Sequence, residues 1–180
     1  IEVEYRDTVG DTFHRDYPGY GGLHYKNTSG RNDIRTAKVA VGVEDVFFLA
    51  ETQAPLTPHT DKNWMLLLID ADQDHATVWN GYVFLANKHV STDMRTTVMR
   101  YAPDAENGAW VEEAQVDHTY AGEFLELAIP RSLLGLTGDA FAFDFHWCDN
   151  PSSLDDPISL CTDGDSAPNR RFNYRCIWER

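Results

Sequence analysis

The chain has 180 residues and a formal net charge of -14. That length suits one domain with a genuine core. The acidity sets the surface against phosphate backbones and anionic membranes, which argues against nucleic acid and lipid as partners and fits cations and neutral glycans. Acidity also serves solubility alone, as in a secreted domain. No stretch approaches the roughly 18 consecutive apolar residues of a membrane helix. Ile1 in first place suggests a processed product or an excised fragment.

The predicted elements are almost all strands. A long loop, 7–33, is rich in Gly, Tyr, Asp and His, and contains Tyr17, Tyr20 and Tyr25 in YPGYGGLHY. Strands follow at 34–41 and 46–51, then a second loop, 53–63, with Pro55 and Pro58. Residues 64–69 (WMLLLI) are apolar at every position, which predicts a central strand covered on both faces. Strands at 82–87, 96–101 and 110–116 come next. In the strand 124–129, Leu125, Leu127 and Ile129 share the inward face and Glu126 points out. A helical turn at 130–134 begins with Pro130 and stops at Gly135. In 140–147, Phe141, Phe143, Phe145 and Trp147 share one face, with Asp144 and His146 on the other. A third loop, 149–169, carries Asp149, Asp155, Asp156, Asp163 and Asp165, and a last strand spans 171–178 with Phe172, Tyr174, Cys176 and Trp178 aligned. Nine short strands with turn signals between them predict an all-β fold. The expected architecture is a two-sheet antiparallel β-sandwich of jelly-roll or immunoglobulin-like type, with long rim loops.

The segment DADQD, directly after the central strand, is the strongest chemical signal. Asp70, Asp72 and Asp74 stand at alternate positions where a strand becomes a loop, a spacing that suits Ca²⁺. The loop is not an EF-hand, because His75 stands where the glycine would be. The alternative is that these aspartates cap a tight turn through side-chain to backbone hydrogen bonds. The same loop carries Trp79 beside Asn80 and Gly81. An exposed indole next to polar groups can stack on the C–H face of a sugar. Trp147, followed by Asp149 and Asn150, is a second candidate, with core packing as its competing role. Tyr20 is a candidate second wall.

Three cysteines occur, none in C-x-x-C spacing, which excludes a common zinc signature. Cys148 and Cys161 flank one loop and are candidates for a disulfide, leaving Cys176 as the odd thiol. Ser132 has no G-x-S-x-G context and the histidines no H-E-x-x-H spacing, so an enzyme is not expected.

The segments NDIRTAKVAVGVEDVFFLAET (32–52), NWMLLLIDADQD with WNGYVFLAN (63–87), FLELAIPRSLLGL (124–136), FAFDFHWCDN (141–150) and GDSAPNRRFNY (164–174), in this order, resemble family-9-type carbohydrate-binding modules and the related DOMON-like sandwich domains. The resemblance implies a non-catalytic, secreted (or periplasmic) β-sandwich appended to a glycoside hydrolase. Such a domain holds Ca²⁺ structurally and binds a polysaccharide or oligosaccharide end between two indoles. On that basis Trp79 and Trp147 would stack on sugar, Asn80, Asp149 and Asn150 would bind hydroxyls, and Asp70, Asp72 and Asp74 would hold Ca²⁺. Two alternatives stand beside it. One is a structural or interaction sandwich that packs against the catalytic domain of a parent enzyme. The other is a haem-binding DOMON-type domain, for which Met65, Met94 and Met99 are present but no His is tied to them by spacing.

Overall fold

The computed structural model describes residues 2–12, 15–76, 78–92, 94–105 and 109–180. The chain opens with β1 (Glu2–Arg6), a hairpin of β2 (Arg15–Pro18) and β3 (His24–Asn27), and a second hairpin of β4 (Ile34–Val41) and β5 (Asp45–Thr52). A meander follows: β6 (Leu66–Asp70), β7 (Phe84–Thr92), β8 (Arg95–Ala102), β9 (Ala109–Ala121) and β10 (Phe124–Pro130). The helical turn α1 (Arg131–Leu134) leads to β11 (Ala140–Asp149). A second turn, α2 (Ser159–Thr162), precedes β12 (Asp165–Ala167) and β13 (Tyr174–Glu179).

The fold is the expected all-β sandwich, and its two layers are hydrogen-bonded into one sheet. Among the described residues, 11 strands run in the order β1-β4-β5-β10-β9-β8-β7-β6-β11-β12, with β13 also on β11. Every ladder in this sheet is antiparallel. The sheet folds over so that its two halves face each other. Phe48 of β5 meets Phe143 and Phe145 of β11, with ring centroids 5.6 and 5.7 Å apart. Tyr5 of β1 meets Phe145 at 5.2 Å and Tyr174 at 4.9 Å. Side chains with period two fill the space between, including Val46, Phe48 and Ala50, Leu125, Leu127 and Ile129, and Phe143, Phe145 and Trp147.

The all-apolar β6 is buried at every position, as its sequence requires. Leu67 and Ile69 enter the main core. Leu66 and Leu68 face the other way, into a second apolar cluster with Trp79, Tyr82, Leu85, Met99, Cys148 and Leu160. This second cluster is roofed by the loops that follow β6 and β11, so these rim loops are attached to the sheet by burial.

The turn α1 ends at Gly135 with φ 72°, the left-handed conformation that glycine adopts without a Cβ clash. Several details depart from expectation. β1 has the short alternation EVEYR, and its pairing with the β4 edge makes it a strand. Residues 171–173 lie outside the last strand, which begins at Tyr174. Phe172 is therefore 71% exposed rather than aligned with the core. The cysteines are all free thiols, with Cys148 and Cys176 buried, so the candidate Cys148–Cys161 bridge is not formed.

Candidate cation site and ligand cleft

The carboxylates of the DADQD loop turn back onto their own backbone. Asp70 Oδ1 accepts from Gln73 N–H at 2.7 Å, Asp72 Oδ1 from Asp74 N–H at 3.0 Å, and Asp74 Oδ1 from Ala76 N–H at 3.0 Å. These are Asx-type turns. Asp72 and Asp74 are exposed while Asp70 is buried. The three do not converge as a cage, and the turn alternative describes this loop. Asp70 instead joins His75 and Asp144, with ligand atoms within 4.8 Å of one another. That trio carries its own cations: Asp144 is clamped bidentately by Arg175 Nε at 2.7 Å and Nη2 at 2.8 Å. Asp70 Oδ2 lies 2.9 Å from His75 Nδ1 but without hydrogen-bond alignment. Burial raises the Asp70 carboxyl to about 6, against the lowering pull of the Gln73 N–H and His75.

A different group has the character of a cation site. Oxygens of Asp7, Asp11 and Asp165 lie within 4.8 Å of one another. Asp33 adjoins them, and the Asp11 charge acts on it. Asp7 follows β1, Asp33 precedes β4, and Asp165 opens β12, so the site lies where the chain's first and last segments meet. Two backbone N–H groups hold it open: Ile34 to Asp165 Oδ2 at 2.7 Å and Gly10 to Asp33 Oδ2 at 2.8 Å. The remaining oxygens are stranded. Asp7 Oδ2, both oxygens of Asp11 and Asp33 Oδ1 are buried with no hydrogen-bond partner. Burial, reinforced by the neighbouring carboxylates, pushes Asp7 up to about 7 and Asp165 well above the ordinary range. Buried, unpartnered hard oxygens on three aspartates, with the buried Asp165 carboxylate beside them, fit Ca²⁺, which accepts six to eight such ligands in flexible geometry. Sequence reasoning placed these aspartates in two functional loops but could not join loops more than 100 residues apart. The visible signal was aspartate density in both.

The expected sugar platforms are core residues. Trp147 is 0% exposed and packs in the main core, on the face it shares with Phe143 and Phe145. Trp79 is 7% exposed, tilted on Tyr82 and edge-on to Trp110. The second cluster claims Trp79 because Leu66 and Leu68 need cover. Asp149 is fully buried and structural. It takes Arg31 Nε at 2.8 Å, Asn32 Nδ2 at 3.0 Å and Met65 N–H at 2.9 Å. Burial still holds its carboxyl above the ordinary range despite Arg31. Asn150 is half-buried with φ 59°, its N–H bonded to Asn63 O at 2.9 Å. Tyr20 is 95% exposed in the turn between β2 and β3. Neither Asn150 nor Tyr20 lines the cleft described next. Of the methionines, Met65 is in the main core, Met99 in the second cluster and Met94 exposed, so they do not share a site.

Asn80 does line a cleft. An open depression of about 700 Å³ is bounded by His75, Asn80, Tyr82, Asp144, Arg171, Phe172, Asn173 and Arg175, with Pro157 and Leu160. Its lip is the strip Arg171–Phe172–Asn173, the segment the sequence had placed in a strand. The strip is fixed from beneath. Fully buried His146 bonds through Nδ1 to the Phe172 carbonyl at 2.8 Å, and Tyr82 donates its O–H to Asn173 Oδ1 at 2.6 Å. The exposed Phe172 ring thus stands beside positioned amide, imidazole and guanidinium groups. Comparison with protein-family models, with curated proteins and with solved structures finds no match to this chain.

Proposed function

We propose that this chain is a non-catalytic carbohydrate-binding β-sandwich, stabilised by Ca²⁺, that serves as an accessory to a secreted polysaccharide-degrading enzyme. The observation that carries the reading is the cleft: an aromatic ring held exposed on its lip, with Asn80, Asn173 and His75 around it. A sugar needs one flat apolar surface and several hydrogen-bonding groups at fixed positions, and this cleft supplies both. The stacking partner is Phe172 rather than either candidate indole. Ca²⁺ would be held by Asp7, Asp11, Asp33 and Asp165, where it would neutralise stranded carboxylates and tie the first loop to β12.

Isothermal titration against neutral and acidic plant and bacterial oligosaccharides tests the reading. We expect binding to at least one of them. Phe172→Ala should weaken it at least tenfold, or about 1.4 kcal/mol, with an unchanged melting curve because the ring is not in the core. No binding across the panel, or undiminished binding by the alanine variant, would sink the proposal.

A further inference from the structure

The ionisable groups of the cleft do not balance. Asp144 is spent on Arg175, which grips both its oxygens. The His75 ring is set against Asp70 at 2.9 Å. Arg171 remains. Among the described residues it makes no hydrogen bond and no ion pair, in a chain whose net charge is -14. Arg171 is exposed on the lip of the cleft, so its guanidinium is open to the counter-charge of a ligand.

The backbone that carries Arg171 is constrained on both sides. Arg170, just before it, has φ 68°, a left-handed conformation uncommon for a side chain of this size. Just after it, the Phe172 carbonyl is anchored by His146 and the Asn173 side chain by Tyr82. The cation is therefore carried on a constrained strip, next to the exposed ring. Arginine presents paired N–H groups that match the two oxygens of a carboxylate or sulfate.

We infer that the cleft selects a sugar bearing an anionic group, with its ring on Phe172 and its carboxylate or sulfate on Arg171. This rests on the sugar-binding reading of the same cleft and narrows it to acidic glycans. The anion would form a bidentate ion pair with the guanidinium that a neutral hydroxymethyl group cannot make.

The test uses the whole chain with Ca²⁺ present, at pH 7. Glucose, galactose and mannose are titrated beside their uronic acids, and glucose beside glucose 6-sulfate. The pairs differ only at the exocyclic carbon. We expect at least one acidic member to bind tenfold or more tighter than its parent, with the advantage shrinking as salt rises. A preference for the uronate or for the sulfate then names the source of the charge. Arg171→Gln should abolish the advantage. Neutral sugars binding as well as their acids would overturn the inference while leaving the sugar-binding reading intact. A persistent acid preference in Arg171→Gln would overturn it too, as would sodium acetate competing as well as glucuronate. If neither these sugars nor the oligosaccharides bind, both readings fall together.

Discussion

His146 shows how a single residue joins the core to the cleft. It lies on the face of β11 opposite the phenylalanines and is fully buried. A carbonyl can only accept, so the bond to Phe172 puts the proton on Nδ1 and leaves Nε2 without a partner. Burial lowers its pKa from 6.5 to about 4, with the Phe172 carbonyl pulling the other way. The sign of the consequence follows from linkage. Between those two values the unfolded chain holds the proton and the folded chain does not, so stability is lost as pH falls through that window. The loss for this group is about 3 kcal/mol at most. Urea denaturation at pH 7.5 and 4.5 measures it. His146→Gln, which keeps a donor for the Phe172 carbonyl, should show a shallower slope, and an equal slope would assign the pH effect elsewhere.

Among the elements, the third long loop supplies Asp165 to the aspartate cluster and Pro157 and Leu160 to the cleft. Gly164 has φ 54°, and a Cβ there would sit 1.9 Å from the Asp149 carbonyl and 2.8 Å from the Asn150 carbonyl carbon. Its own carbonyl receives Asn27 Nδ2 at 3.1 Å and the Arg15 guanidinium. Glycine is needed here on both counts, conformation and close backbone approach. Because Gly164 sets the path into Asp165, Gly164→Ala should cost at least about 2 kcal/mol and weaken Ca²⁺ binding as well. Paired melts with and without the ion separate the two effects. The strands were legible in the sequence wherever one face is apolar: 34–41 coincides with β4, and Leu125, Leu127 and Ile129 point inward as their alternation requires. The lip residues 171–173 were misread because Phe172 continues the alternation of Tyr174, Cys176 and Trp178. Periodicity cannot report where backbone pairing stops, and here it stops at Tyr174.

At the scale of the molecule, the sheet folds over until β12 lies against β4, and the aspartate cluster sits on that seam. A cation there would bridge the first and last thirds of the chain and stabilise the folded state in proportion to its occupancy. At a hundredfold excess over Kd the gain is about 2.7 kcal/mol, which for a domain of this size raises Tm by roughly 5 to 10 °C. Chelation should remove that gain, and Asp11→Asn should imitate chelation. Asp72→Ala should leave the Ca²⁺ response intact, which separates the seam from the DADQD turn. An unchanged melt after chelation would overturn the assignment of Ca²⁺ to the cluster.

By itself the sequence determined the β-class of the fold, the two-sided burial of 64–69, the capped turn at Gly135 and the acidic character of the loops. Those properties are local: they follow from period, propensity and charge along a few consecutive residues. Only the tertiary structure decided which carboxylates meet, which aromatics are left exposed and which arginine goes unmatched. Asp7 and Asp165 become neighbours through the folding of the sheet, Trp79 is drawn under cover by Leu66 and Leu68, and Phe172 is left outside by the end of a ladder. Burial and proximity between distant segments are properties of the packed whole, and no window of sequence contains them.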